Sequence, residues 1–135
     1  MKPNLDYLKY LGVPYEFGGN SLMGLDCINL CTLMAKDRGV PMMNVNHTHT
    51  NMHTYHYLFN LRDSKDKFST VPKQGNVLVV FKIKGKVSHV GYMLDANNFI
   101  HIMEGSRVSV EKINITWENR LVGFYKYVGG EDEST

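Results

Sequence analysis

Cys27, His89 and His101 are the residues of this chain whose types and setting suit covalent chemistry. Cys27 follows a glycine-rich stretch, FGGNSLMGL, and an aspartate, and it opens a segment of helical character. Helix-terminal amides and the helix dipole favour an anion there, which lowers a thiol pKa and supplies thiolate near neutral pH. A small core residue on the buried face of the helix suits the same position, and position alone leaves both readings open. Cys31, one turn further in, reads as core. A thiolate nucleophile needs an imidazole to take its proton, and the imidazole needs a polar neighbour to fix its tautomer. His89 in VSHVGYML and His101 in FIHIM, on successive strands, meet those needs by type. Their spacing does not pair them. A turn with Ala96 and Asn97 at its centre sets Tyr92 opposite His101 and puts His89 and His101 on opposite faces of an unbroken sheet. A turn one residue longer or shorter, or a bulge, would return them to one face.

Other chemistry finds less support. His47, His49, His53 and His56 crowd the segment HTHTNMHTYH, with His49, His53 and His56 at helical spacing, but no acidic or cysteine ligand accompanies them at zinc-site spacing. They read as solvated or substrate-facing side chains, and no metal is expected. Ser88 and Ser106 lack a G-x-S-x-G context, which argues against a serine hydrolase. The glycines of FGGNSLMG form neither a phosphate-cradling loop nor a dinucleotide fingerprint, so no organic cofactor is expected either.

The elements that must position these residues fall into a helical half and a stranded half. Leu5, Leu8 and Leu11, with Tyr7, predict a short amphipathic helix over Asn4–Leu11, closed by Gly12 and Pro14. Residues 15–25 read as loop. Asp26 offers a cap to a helix from Cys27 to about Arg38, whose Cys27, Leu30, Cys31 and Met34 make one apolar face. A third, weaker helix is expected over Thr48–Leu61. NVLVVFKI and VSHVGYMLD then predict a hairpin about Lys84-Gly85-Lys86, with Lys82, Lys84 and Lys86 outward. FIHIM, RVSVEKI and LVGFYKYV supply further strands. Helices followed by an antiparallel meander describe an α+β fold, with N-terminal helices on a sheet of about five to six strands. Residues 1–128 read as one domain and GGEDEST at 129–135 as a flexible acidic tail.

Composition narrows the class. The 135 residues are 43% hydrophobic and 21% charged, which suits an ordinary globular core. Fifteen basic against thirteen acidic residues leave +2, too mild to announce nucleic acid. The longest apolar run, Val77 to Phe81, is far short of the ~20 residues needed to insert across a membrane. The N-terminus lacks the features of a secretory signal, so synthesis and folding in the cytoplasm are expected.

Taken together, the blocks are more informative than any single residue. LGVPYEFGGNSLMGLDCINL resembles the nucleophile region of the NlpC-type papain-like cysteine peptidases: Pro-Tyr, a Gly-Gly loop, then Gly-x-Asp-Cys opening a helix. VSHVGYMLDANNFIHI resembles that family's Ser-His-Val-Gly strand and following Phe-x-His strand, and PKQGNVLVVF its intervening strand. The resemblance runs over about residues 5 to 128. It implies Cys27 as nucleophile, His89 as general base and then acid, and His101 as the residue that orients His89, with both histidines on the cleft side. Tyr15 and Asp26 match the family's residues beside the nucleophile, implying substrate-binding or oxyanion roles. The Tyr15 hydroxyl and the Cys27 amide would be oxyanion donors.

The implied activity is hydrolysis of a peptide amide in a bacterial peptidoglycan stem peptide, at a D-glutamyl–diamino-acid linkage, at the cell wall and without a cofactor. Two departures stand out: Ile28-Asn29 replaces the Ser-Gly that follows the cysteine in many members, and Asn76 stands where Asp is usual. Ile-Asn-Leu and the ending W-x-x-R-L-V-G-F-Y-K-Y resemble the subset found in tailed bacteriophages. That subset implies tail-protein partners and action as part of a virion. The alternatives are a tail-assembly or tail-tip component with dispensable catalysis, and an acyltransferase or deamidase using the same thiolate.

Overall fold

The structure, a computed structural model, describes residues 5–42 and 68–129. His47, His49, His53 and His56, the helix expected over Thr48–Leu61 and all but Gly129 of the expected tail lie outside the described residues.

The first expected helix contracts to one 3₁₀ turn, Leu8–Tyr10. No side chain caps its start, and so short a helix cannot repay its nucleation cost. Leu5, Leu8 and Leu11 remain exposed; Tyr10 turns inward instead, and its hydroxyl donates to Asp37. The segment expected as loop holds a small hairpin of β1 (Asn20–Ser21) and β2 (Gly24–Leu25).

The helix α1 runs over Cys27–Asp37 as its pattern predicts. Asp26 caps it, its carboxylate accepting from the Asn29 amide at 2.8 Å. Asn29 in turn donates through Nδ2 to the Gly19 carbonyl at 2.9 Å, tying the glycine loop to the helix start. Ile28, Leu30, Cys31, Met34 and Ala35 are buried along one side.

A six-stranded antiparallel sheet receives that face. Its strands are β3 (Phe68–Val71), β4 (Leu78–Ile83), β5 (Lys86–Met93), β6 (Asn98–His101), β7 (Ser109–Lys112) and β8 (Leu121–Tyr127), in the order β3-β8-β4-β5-β6-β7. Strands β4 to β7 form the expected meander; β8 returns to pair with β4, and β3 adds an edge. A single helical turn, α2 (Ile115–Glu118), precedes β8. The two sheet faces alternate along each strand. Leu78, Val80, Val90, Tyr92 and Ile100 pack with α1, while Val79, Phe81, Met93 and Phe99 pack with Trp117 of α2 and Phe124.

Two turns fix the registers that matter. Lys84 and Gly85 both adopt positive φ, 53° and 79°, the tight primed turn that suits a two-residue hairpin. Between β5 and β6 the loop has three residues, Asp95 to Asn97, because the Leu94 amide bonds the Asn98 carbonyl at 2.9 Å. The Asp95 carboxylate holds this loop by accepting from the amides of Asn97 and Asn98 at 2.8 and 2.9 Å. Tyr92 therefore faces Ile100, not His101.

Candidate active site

That extra loop residue decides where the histidines go. Continuing the Tyr92–Ile100 register places Gly91 opposite His101 and makes His89 its diagonal neighbour on the same face. His89 Nε2 and His101 Nδ1 are 2.9 Å apart. Gly91 carries no side chain on that face, and a Cβ there would lie 3.0 Å from the Phe99 ring and 3.2 Å from the Ile100 carbonyl oxygen. The turn centred on Ala96 and Asn97 would have separated the pair; the three-residue loop corrects it.

A hydrogen-bonded chain continues beyond the two histidines. His101 Nε2 lies 2.6 Å from Glu111 Oε2, and Trp117 Nε1–H donates to Glu111 Oε1 at 3.1 Å. Glu111 sits on β7 opposite Phe99, one diagonal from His101. Trp117 is held by α2, whose cap Asn114 accepts from the Trp117 amide at 3.1 Å. Phe81, Phe99 and Trp117 wall the imidazoles: Phe81 stacks on His89 at 6.0 Å, and Phe99 and Trp117 lie 4.6 and 5.1 Å from the His101 ring. Both histidines are buried, 4% and 3% exposed, so water cannot solvate a charge on either. Burial pushes the His89 pKa down to about 3, with the neighbouring His101 and Arg120 adding to the effect. His101 is lowered too, by burial, against the opposing pull of Glu111.

Cys27 occupies the start of α1, where the helix end meets β5. The backbone N–H groups of Val90, Cys27 and Ile28 face its sulfur and favour a thiolate. Burial outweighs them, and with the Asp26 carboxylate adding repulsion the thiol is pushed up to about 12. The expectation of a thiol lowered by the helix amides is thus corrected: the amides act in the expected direction and desolvation wins. Cys31 is buried in the core and raised well above the ordinary value, chiefly by burial. Val90 directly follows His89, so one short piece of β5 serves both groups, its Val90 amide toward Cys27 and its His89 ring toward His101. Among the described residues no hydrogen bond joins Cys27 to either histidine.

Tyr15 is half-buried at an isolated bridge to Leu25. Burial, then the proximity of Cys27 and Asp26, raises its phenol to about 12, so it is an O–H donor at neutral pH. Asp26 is buried and serves visibly as the cap of α1. Asn76, at φ 63°, uses its side chain to accept from Arg38 and from the Tyr92 hydroxyl, which ties the end of α1 to β5. Glu111 and Trp117 escaped the reading of the sequence. The available signal was an acidic residue on the strand after FIHIM, at a position that alternates toward the same face. Among the described residues no group of three or more His, Cys, Asp or Glu side chains is placed to hold a metal ion.

The chain and its fold are similar to those of known proteins. The family model described as the NlpC/P60 family matches residues 12–126. The fold is similar to that of an NLP/P60-family protein, described as similar to lipoprotein, from Staphylococcus aureus subsp. aureus Mu50 (23% identity, TM-score 0.58, covering 90% of this chain and 38% of that one). It is similar also to an NlpC/P60-family protein from Bacillus cereus ATCC 10987 (23%, TM-score 0.62, 87% and 36%). A third similar structure is the NlpC/p60 domain of the peptidoglycan hydrolase SagA (21%, TM-score 0.55, 90% and 92%). The chain thus spans little more than a third of the first two proteins and nearly all of the SagA domain. No curated protein sequence matches it significantly.

Proposed function

This chain belongs to the NlpC/P60 family, and from that premise we propose that it is a cysteine peptidase that hydrolyses an amide bond in the stem peptide of bacterial peptidoglycan. The bond is the D-glutamyl–diamino-acid linkage. The observation that carries this reading is the His89–His101 contact at 2.9 Å on the strand whose next amide faces the Cys27 sulfur.

His101 engages His89 through Nε2, which leaves Nδ1 as the ring nitrogen available to take the thiol proton. The raised thiol and lowered imidazole describe a neutral resting pair. Proton transfer then accompanies attack: the sulfur bonds the carbonyl carbon, and the imidazolium forms as the oxyanion does. The Cys27 amide and the Tyr15 hydroxyl are the donors suited to that oxyanion. Asp26, beside the nucleophile, caps α1 and is the residue assigned to substrate binding next to Cys27. His89 then gives its proton to the leaving nitrogen as the C–N bond breaks. Water, deprotonated by His89, attacks the thioester, releases the carboxylic acid and restores the thiol.

Mass spectra of muropeptides released from purified cell walls test the reading. Wild-type protein, acting alone, is expected to produce new D-glutamyl carboxyl ends and new diamino-acid amines, and Cys27→Ala none. Products carrying a transferred amine, or stem-peptide amides converted to acids without chain cleavage, would assign the thiolate to transfer or deamidation. Intact walls with wild-type protein would favour a tail-assembly role.

A further inference from the structure

We propose that Glu111 is a positioning residue that sets the tautomer of His89 through His101, so that the working unit is a relay of Trp117, Glu111, His101 and His89 behind the thiol. The inference rests on the peptidase reading for its purpose and on the hydrogen bonds alone for its logic. Trp117 Nε1–H can only donate, and it takes one oxygen of Glu111 at 3.1 Å. The other oxygen, 2.6 Å from His101 Nε2, accepts the proton of that nitrogen. A neutral His101 carrying hydrogen on Nε2 has a bare Nδ1, which must accept from its partner 2.9 Å away, His89 Nε2. His89 is therefore protonated on Nε2 and bare on Nδ1, the nitrogen a general base needs. Burial keeps both rings neutral, which is the state in which the choice of tautomer exists. The carboxylate reaches the surface at 41% side-chain exposure while the ring it orients is buried, so Glu111 pins an interior imidazole from the rim of the sheet.

Replacing the carboxylate by an amide makes the logic visible. In Glu111→Gln the amide oxygen goes to the Trp117 N–H, because two donors cannot face each other, and the amide N–H₂ is left facing His101 Nε2. His101 then loses the hydrogen from Nε2, carries it on Nδ1 and donates it to His89 Nε2, which moves the His89 hydrogen to Nδ1. Removing the competing donor as well, in Glu111→Gln with Trp117→Phe, frees the amide oxygen to turn toward His101 and restores the original arrangement.

Long-range ¹H–¹⁵N correlation of the imidazole nitrogens at neutral pH reads this directly, with His89 and His101 assigned by single substitution. Wild type is expected to show both rings neutral and protonated on Nε2, Glu111→Gln both protonated on Nδ1, and the double variant the wild-type pattern. The turnover rate of Glu111→Gln is expected to fall toward the ~10⁴-fold that a wrong tautomer of the general base costs, with KM little changed. A wild-type His89 protonated on Nδ1 overturns the proposal without any variant, and so does a Glu111→Gln protein whose tautomers are unchanged. The ring signals do not depend on cell-wall cleavage. A tautomer switch in a protein that leaves peptidoglycan intact would uphold the relay and sink the peptidase reading alone.

Discussion

The two faces of the central sheet bury their side chains on different terms. On the α1 face, Val80, Val90, Tyr92 and Ile100 meet Leu30, Cys31 and Met34, and hydrophobic area does nearly all the work. On the α2 face the walls are equally apolar, Phe81, Phe99 and Trp117, but they enclose two imidazoles and the rim carboxylate that orients them. The first face tolerates any well-packed hydrophobe of the right volume. The second requires every member of a hydrogen-bonded chain, since a buried polar group left without a partner costs ~1–3 kcal/mol. The thiol belongs by packing to the first face and by proposed function to the second, and β5 is the strand both sides share.

The contrast is broken most sharply at His89. His89→Gln is expected to lower turnover by roughly 10²–10⁴-fold, the range for a lost general base, with the α1 face intact by circular dichroism. The same variant sharpens the contrast through pH. His89 has a folded value of about 3 against an ordinary 6.5, so between those values the unfolded chain holds a proton that the folded chain lacks. Its contribution to stability is fully present above about pH 6.5 and is lost as pH falls, by about 1.4 kcal/mol per unit. Urea titrations at pH 6.5 and 4.5 should differ by about 2–3 kcal/mol from this group, and His89→Gln should remove that part of the slope.

Smaller effects follow from the geometry. Gly91→Ala pushes a methyl group to within 3.0 Å of the Phe99 ring and should cost about 1–3 kcal/mol, with the His89–His101 ring signals perturbed before the α1 core is. Asp26→Ala removes the α1 cap and should cost about 1 kcal/mol in a urea titration. It also removes a charge that raises the Cys27 thiol, so the thiolate should form at lower pH, read by the 240 nm absorbance of thiolate in a Cys31→Ala background.

How far the sequence carried these features depended on the range of the interactions that fix them. Helix α1 was legible because its cap, apolar spacing and glycine stop are all local. The meander was legible from alternation and turn residues. The pairing of His89 with His101 was not, since it turns on whether the loop after β5 has two or three residues, and the Asp95 side chain decides that. Glu111 was hidden because one partner, His101, lies across a second turn and the other, Trp117, on a separate helical turn. The edge strand β3 was missed because FSTV exposes Ser69 and Thr70 and shows little apolar signal. At the N-terminus three leucines at helical spacing suggested a buried face, while the side chain that is buried is Tyr10.

The two cysteines, both buried and one helical turn apart, separate a nucleophile from a core thiol in one comparison. The measurement is the rate at which purified cell walls are solubilised by wild-type, Cys27→Ala and Cys31→Ala proteins at equal concentration. Cys27→Ala is expected to be inactive while remaining folded, and Cys31→Ala to keep most of the wild-type rate at somewhat lower stability. Wild-type solubilisation by Cys27→Ala would contradict Cys27 as the nucleophile.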